Sequence, residues 1–331
     1  MRIRIKKAGL MATVQDLGRT QFLSQGVPLC GAMDRLSAQI ANLALGNDAD
    51  NAVIEFTQSG AVFEVLDDML LAFSGDGAKP ITAEQILPCD RPVFLPVGTK
   101  IFLEANRAGS RTYLAVAGGW DVPEVLGSRS TYLPAAIGGL SGRRLKESDE
   151  LSSIPKLSAI STFILEDLKT DRINFPDWSI AKDVLLPADK KTIRVIKGNE
   201  FGWFEDNSAA GFFSNAYTLD KNSNRMGFNL TGEPLIRSIA TEMLSTAVAP
   251  GTIQVTNEGG LVLLTADCQT TGGYPRIAQV AAIDLPLCGQ LKPGDVINFA
   301  EISWKEAEKL YIQQQLELKK IAAAIKFRML C

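Results

Sequence analysis

The stretch Gln269-Thr270-Thr271-Gly272-Gly273-Tyr274-Pro275 gathers groups that can meet a carbonyl or a carboxylate without carrying charge themselves. Gln269 offers an amide, Thr270 and Thr271 offer hydroxyls, and Tyr274 offers a phenol. The stretch follows Asp267-Cys268 and, before them, the apolar run Leu261-Val262-Leu263-Leu264, which reads as a buried strand. Gly272 and Gly273 allow a positive φ or a close approach of backbone to another group, and Pro275 ends the turn. Two readings are open. One is a strand–turn–strand corner with side-chain caps, for which the glycines and the proline suffice. The other is a pocket wall of neutral donors facing a carbonyl or carboxylate, which gives the Gln-Thr-Thr run a purpose.

Charged candidates sit in polar turns. In Val14-Gln15-Asp16-Leu17-Gly18-Arg19 an acid and a base lie close together. As a solvated ion pair they contribute little; as a site, Asp16 orients Arg19 toward an anionic ligand or partner. Arg129, in Gly127-Ser128-Arg129-Ser130-Thr131-Tyr132, reads as part of a capped turn pairing outward or as an anion contact. Arg225, in Asn222-Ser223-Asn224-Arg225-Met226-Gly227, reads equally as a surface residue or a ligand clamp. The loop Gly26 to Asp34 enters a helix, where free N–H groups can hold an anion. Asp34 competes for those groups as an N-cap, so the loop reads as structural rather than phosphate-binding.

Several chemistries are excluded. The chain has no histidine, which removes Ser-His-Asp and Cys-His catalysis and histidine metal sites, so no metal site is expected. The five cysteines are scattered without a C-x-x-C pair and read as reduced thiols of a cytoplasmic protein. There is no G-x-x-x-x-G-K-[ST] phosphate loop and no lysine flanked by methionine as in biotin carriers. A net charge of −3 implies no nucleic-acid face. No run is apolar enough to span a bilayer, and Met1 to Lys7 alternates like a strand rather than running apolar like a signal peptide.

The elements that must position these groups are short strands. Val53–Thr57, Ala61–Val65, Leu70–Phe73, Pro92–Pro96, Lys100–Leu103 and Thr112–Val116 follow one another at barrel spacing. A helix after Asp34 puts Leu36, Ile40 and Leu43 on one face and stops at Gly46-Asn47. A serine- and proline-bearing stretch at 151–190 reads as a crossing segment between a first domain at 1–150 and a second at 191–302. The turn Val97-Gly98-Thr99 before one late strand is echoed by Pro293-Gly294-Asp295 before another, as expected of two related β domains. Ser303-Trp304-Lys305-Glu306 is a capping box opening a long helix over 303–331.

Taken together, Gln15-Asp16-Leu17-Gly18-Arg19, Gly26-Val27-Pro28, Gly31-Ala32-Met33-Asp34, Tyr113 to Gly119, Leu126 to Tyr132, Asn224-Arg225-Met226-Gly227, Pro250 to Val255 and Gln269 to Pro275 resemble one family in order. It is the biotin-dependent carboxyltransferase family of the allophanate-hydrolase-subunit-2 type, which includes the C-subunit of bacterial 5-oxoprolinase, KipA-type antagonists of KipI, and a region of urea carboxylase. The chain departs from that pattern at Cys30, at Lys197-Gly198-Asn199-Glu200 and at Thr256. The resemblance implies a mainly β protein of two tandem cyclophilin-like barrels with a C-terminal helix. It implies two partner subunits, one KipI-like (of the allophanate-hydrolase-subunit-1 type) and one of the lactam-utilisation type, and a small-molecule substrate. The implied reaction opens 5-oxoproline to glutamate at the expense of ATP with Mg. Biotin enters only under the alternative of carboxyl transfer from a separate carrier, and a third possibility is a regulatory binder of a KipI-like protein.

A lactam is a stabilised amide, and phosphorylating its carbonyl oxygen makes the carbon electrophilic. That step needs neutral donors at the carbonyl and cations for the phosphoryl charge. On this expectation Gln269, Thr270, Thr271 and Tyr274 hold the lactam on the Gly272-Gly273 turn. Arg225, Arg19 and Arg129 then face anionic charge, with Asp16 orienting Arg19 or a metal-bound nucleotide.

Overall fold

The computed structural model describes residues 1–239 and 241–330; the expected thiol at Cys331 lies outside the described residues. The chain forms two compact units, one built from Met1–Gly18, Cys30–Leu185 and the chain from Leu316 on, the other from Arg19–Leu29 and Leu186–Gln315. Residues 151–185 thus group with the first unit, and the short segment 19–29 groups with the second.

The strands of the first unit are β1 (Arg2–Ala8), β2 (Met11–Gln15), β3 (Val53–Thr57), β4 (Ala61–Val65), β5 (Met69–Ser74), β6 (Ala78–Ile81), β7 (Pro92–Leu95), β8 (Lys100–Ala105), β9 (Arg111–Val116) and β10 (Glu150–Ser152). They make two five-stranded sheets, in the orders β10-β1-β4-β8-β6 and β2-β3-β9-β5-β7. β4 alternates buried and half-buried residues, as a strand with one wet face must, while β5 and β9 are buried throughout. The sheets share one core in which Phe63 of β4 stacks on Phe56 of β3 at 6.2 Å and leans on Phe73 of β5 at 6.4 Å. Helix α1 (Arg35–Ala44) packs on β9 and β5. It is capped as its sequence predicts, with the Asp34 carboxylate accepting from the Ser37 amide at 2.9 Å. Helix α2 (Ala159–Leu168) lies inside the stretch expected to be a crossing segment.

The strands of the second unit are β11 (Thr192–Lys197), β12 (Tyr217–Leu219), β13 (Gly227–Thr231), β14 (Thr246–Ala247), β15 (Thr252–Val255), β16 (Leu261–Leu264), β17 (Thr271–Gly272), β18 (Arg276–Val280) and β19 (Val296–Glu301). Seven of them close a barrel in the order β11-β18-β15-β16-β13-β12-β19. The parallel pairing of β11 with β19 joins its ends. Phe212 of α3 (Asp206–Ser214) stacks on Phe299 inside the unit at 4.8 Å. Helix α4 (Leu285–Gln290) follows β18. β14 and β17 stand apart as a two-stranded ribbon. The two echoed turns match in conformation: Gly98 and Gly294 are both left-handed, with φ of 84° and 88°. Helix α5 (Trp304–Leu330) opens on the expected cap, the Glu306 amide donating to Ser303 Oγ at 3.2 Å. No helix among the described residues is long and apolar enough to cross a membrane.

Candidate functional site

The Gln269–Pro275 stretch lies between β16 and β18 and carries the short strand β17, and three contacts brace the loop it belongs to. At its entry Arg225 grips Asp267 with both sides of its fork, Nε to Oδ2 and Nη2 to Oδ1, each at 2.9 Å. Arg225 and Asp267 are 5% and 3% exposed, so Arg225 is neither a surface residue nor part of the cleft lining described below. Its charge is spent on holding the loop, and the Asp267 amide also donates to the Arg225 carbonyl at 2.8 Å. In the middle, Gln254 Nε2 donates to the Tyr274 carbonyl at 3.2 Å. At the exit, the Arg276 guanidinium meets Glu200, with Nε and Nη2 each 2.7 Å from a carboxylate oxygen.

Of the two glycines only Gly272 serves the close approach open to them. Neither takes a positive φ. A Cβ on Gly272 would stand 2.5 Å from Gln254 Nε2, so glycine there admits the middle brace. Gly273 has ordinary room around it.

So held, the loop forms one wall of a cleft of about 530 Å³. Leu23, Ser24, Gly26 and Leu29 form a second wall, Ala247–Pro250 a third, and Cys268–Thr271 supply the loop's share. The segment carrying the second wall is a pinched loop, its neck closed by the Arg19 amide donating to the Leu29 carbonyl at 2.7 Å. No lysine, arginine, aspartate or glutamate stands among the described residues of the lining. The side chains of Gln269, Thr270 and Thr271 make no hydrogen bond within the protein among the described residues, and Gln269 and Thr271 are exposed. Three uncommitted neutral donors on a largely apolar cleft can orient an amide or polarise its carbonyl. Cys268 lines the same cleft, but burial, aided by the neighbouring Asp267, pushes its thiol up to about 12. At neutral pH it is a thiol and not a nucleophile. Tyr274, 43% exposed, is not in the lining.

The remaining candidates lie elsewhere. Asp16 and Arg129 meet in the first unit through the backbone: the Asp16 carboxylate accepts from the amide of Arg129 and from the hydroxyls of Ser128 and Ser130. It thereby ties the 16–18 turn to the 128–130 turn. The Arg129 side chain reaches Glu124 at 3.5 Å. Arg19 is fully buried at the base of the pinched loop.

A family model described as the carboxyltransferase domain, subdomain A and B, matches residues 25–301. The chain belongs to that family. The 5-oxoprolinase C-subunit of Escherichia coli (strain K12) is 35% identical to this carboxyltransferase-family chain over 320 residues, covering 97% of each. The protein of the same name from Haemophilus influenzae is 33% identical over 316 residues, covering 94% of each. Among solved structures, that of Kluyveromyces lactis urea carboxylase superposes with a TM-score of 0.86 at 28% identity, over 97% of this chain and 29% of that larger one.

Sequence reasoning missed Cys268, the Leu23–Leu29 and Ala247–Pro250 walls of this carboxyltransferase-family cleft, and the braces from Gln254 to Tyr274, from Arg225 to Asp267 and from Glu200 to Arg276. Only the last left a signal, a glycine two residues before an acid at Gly198-Asn199-Glu200.

Proposed function

We propose that the chain is the C-subunit of an ATP-dependent 5-oxoprolinase and that its cleft holds the lactam amide of 5-oxo-L-proline. In this reading it works in the cytoplasm beside two partner subunits, one KipI-like and one of the lactam-utilisation type. The observation that carries the reading is the set of uncommitted neutral donors Gln269, Thr270 and Thr271 on an uncharged cleft wall. The two C-subunit relatives, matched over nearly their whole length, support it.

The residues set limits on what this cleft does. The described residues of the lining offer a nucleotide no lysine or arginine for its triphosphate and no carboxylate for its Mg. Arg225 cannot turn to help without releasing Asp267. No step of the reaction is therefore routed through ATP here. What the chain contributes is orientation and polarisation. Gln269 and a threonine hydroxyl donate to the lactam oxygen, the apolar walls meet the ring carbons, and the substrate carboxylate points to solvent. Water then supplies the hydroxyl of the new carboxyl group, the C–N bond breaks, and the ring nitrogen takes a proton to become the amine of glutamate.

Phosphate release with 5-oxoproline tests the reading, using this chain mixed with its two partner subunits and each omitted in turn. Turnover that requires this chain and yields glutamate is expected. Gln269→Ala should lower it by about 10²–10³ while the fold survives, the usual effect of losing one donor to a developing oxyanion. Unchanged turnover would remove Gln269 from the site. A second reading, carboxyl transfer from carboxybiotin on a separate carrier, is favoured by the likeness to urea carboxylase. A tight complex without oxoprolinase turnover, active only with a biotin carrier, would select it.

A further inference from the structure

The wall Ala247–Ala249 has an unusual setting. It lines the substrate cleft on one side and a second cleft, of about 290 Å³, on the other. A strap with open space on both sides has no packed core behind it, so its place depends on the hydrogen bonds that tie it down. The Val248 amide donates to the Thr270 carbonyl at 3.0 Å, and β14 pairs with β17 so that Ala247 faces Thr271. The strap therefore sets the position of the two threonines that face the cleft. Near its far end Thr252 Oγ1 accepts from the Ala249 amide at 3.1 Å and donates to Gln279.

A second barrel side chain, this one charged, reaches the strap at its near end. Arg276, the first residue of β18, donates from Nη1 to the Ala247 carbonyl at 3.1 Å. Its other edge is occupied by Glu200, which also accepts from the Arg276 backbone amide at 3.1 Å. A guanidinium is planar, so gripping one edge fixes the direction of the other. Gly198 makes this possible, because a Cβ there would stand 2.1 Å from the Arg276 carbonyl oxygen. Glycine lets the chain leaving β11 lie flush on β18 and brings Glu200, two residues later, against Arg276.

We propose that Arg276, aimed by Glu200, is a positioning residue that holds the Ala247–Ala249 strap and through it Thr270 and Thr271 in register for the substrate. The effect on turnover rests on reading the cleft as the 5-oxoproline site; the effect on the strap does not. Two variants test it, Glu200→Gln, which removes the charge that aims the guanidinium, and Arg276→Lys, which keeps a charge near Glu200 and gives up the planar fork. Two measurements are made on each: hydrogen exchange at the Val248 amide in the isolated chain, and KM and kcat of the assembled complex. Exchange at Val248 should quicken about tenfold, and KM for 5-oxoproline should rise about tenfold with kcat little changed, the effect of one charge-assisted hydrogen bond. Val248 exchange that stays at the wild-type rate in both variants overturns the proposal. So does faster exchange with KM unchanged, which would leave the pair a purely structural one. A wild-type complex without turnover sinks the oxoprolinase reading instead, and Val248 exchange alone then decides the brace.

Discussion

At the scale of single residues, the chain separates the groups that hold the loop from those that meet a ligand. The charged ones, Arg225, Asp267, Arg276 and Glu200, are all committed to one another, and the uncommitted ones are neutral. This division has an energetic reason. A buried charge must be paired, and a buried guanidinium matched on both sides of its fork makes a stiffer joint than a hydroxyl. The Arg225–Asp267 pair shows what is at stake. Both partners are almost fully buried, so removing one leaves the other's charge in a place that cannot hydrate it. Asp267→Asn should therefore cost the second unit about 3–5 kcal/mol, read as a fall in the denaturant midpoint in urea. A cost below about 1 kcal/mol, the level of a surface pair, would show that the pair does not brace the loop.

At the scale of elements, the site is assembled by strands that approach more closely than side chains allow. Gly198 sits where β11 leaves the barrel, and its amide donates to the Ile277 carbonyl at 2.8 Å. A methyl group there meets the Arg276 backbone, which cannot swing aside as a flexible side chain can. Gly198→Ala should part β11 from β18 and cost about 1–3 kcal/mol, the usual range for overpacking. Gly202→Ala is the control, since nothing lies within 4 Å of a Cβ at that position. Equal midpoints for the two variants would mean that the close approach is not needed. These joints also mark where reading the sequence stops. Strand periodicity, the Asp34 cap, the capping box at Ser303 and the run of neutral donors are local patterns, and all are legible. The Glu200–Arg276 and Arg225–Asp267 pairs join residues 76 and 42 positions apart, and no periodicity reports such a partner. The grouping of residues 19–29 with the second unit, and the division of the first unit's strands between two sheets, likewise depend on long-range pairing. The Gly-Gly pair at 272–273 is legible as a special place, but that Gly272 alone is needed for a close approach depends on Gln254, a residue of another strand.

At the scale of the whole molecule, a net charge of −3 gives no general attraction for anions. Under the proposed function the ligands, 5-oxoproline and a magnesium-bound nucleotide, are both anionic, so a chain that bound either would have to recognise it by local chemistry. The Gln269–Thr271 cleft has what an amide needs and lacks what a triphosphate needs. The two ligands should then depend on different residues, and ligand-linked stability can separate them. A ligand that binds only the folded state raises stability by about 2.7 kcal/mol at a hundred times its Kd. With 5-oxoproline the isolated wild-type chain should melt at a higher temperature, and Gln269→Ala should abolish that shift. With Mg and a non-hydrolysable ATP analogue, whatever shift wild type shows should persist unchanged in Gln269→Ala. A nucleotide shift that vanishes with Gln269 would put phosphates in the cleft, and the division of labour drawn from its uncharged lining would fall. If the 5-oxoproline shift survives the substitution while the nucleotide shift also survives, the cleft is intact but Gln269 does not read the amide. The contact then passes to Thr270 and Thr271, and Thr270→Val with Thr271→Val becomes the pair that must abolish it.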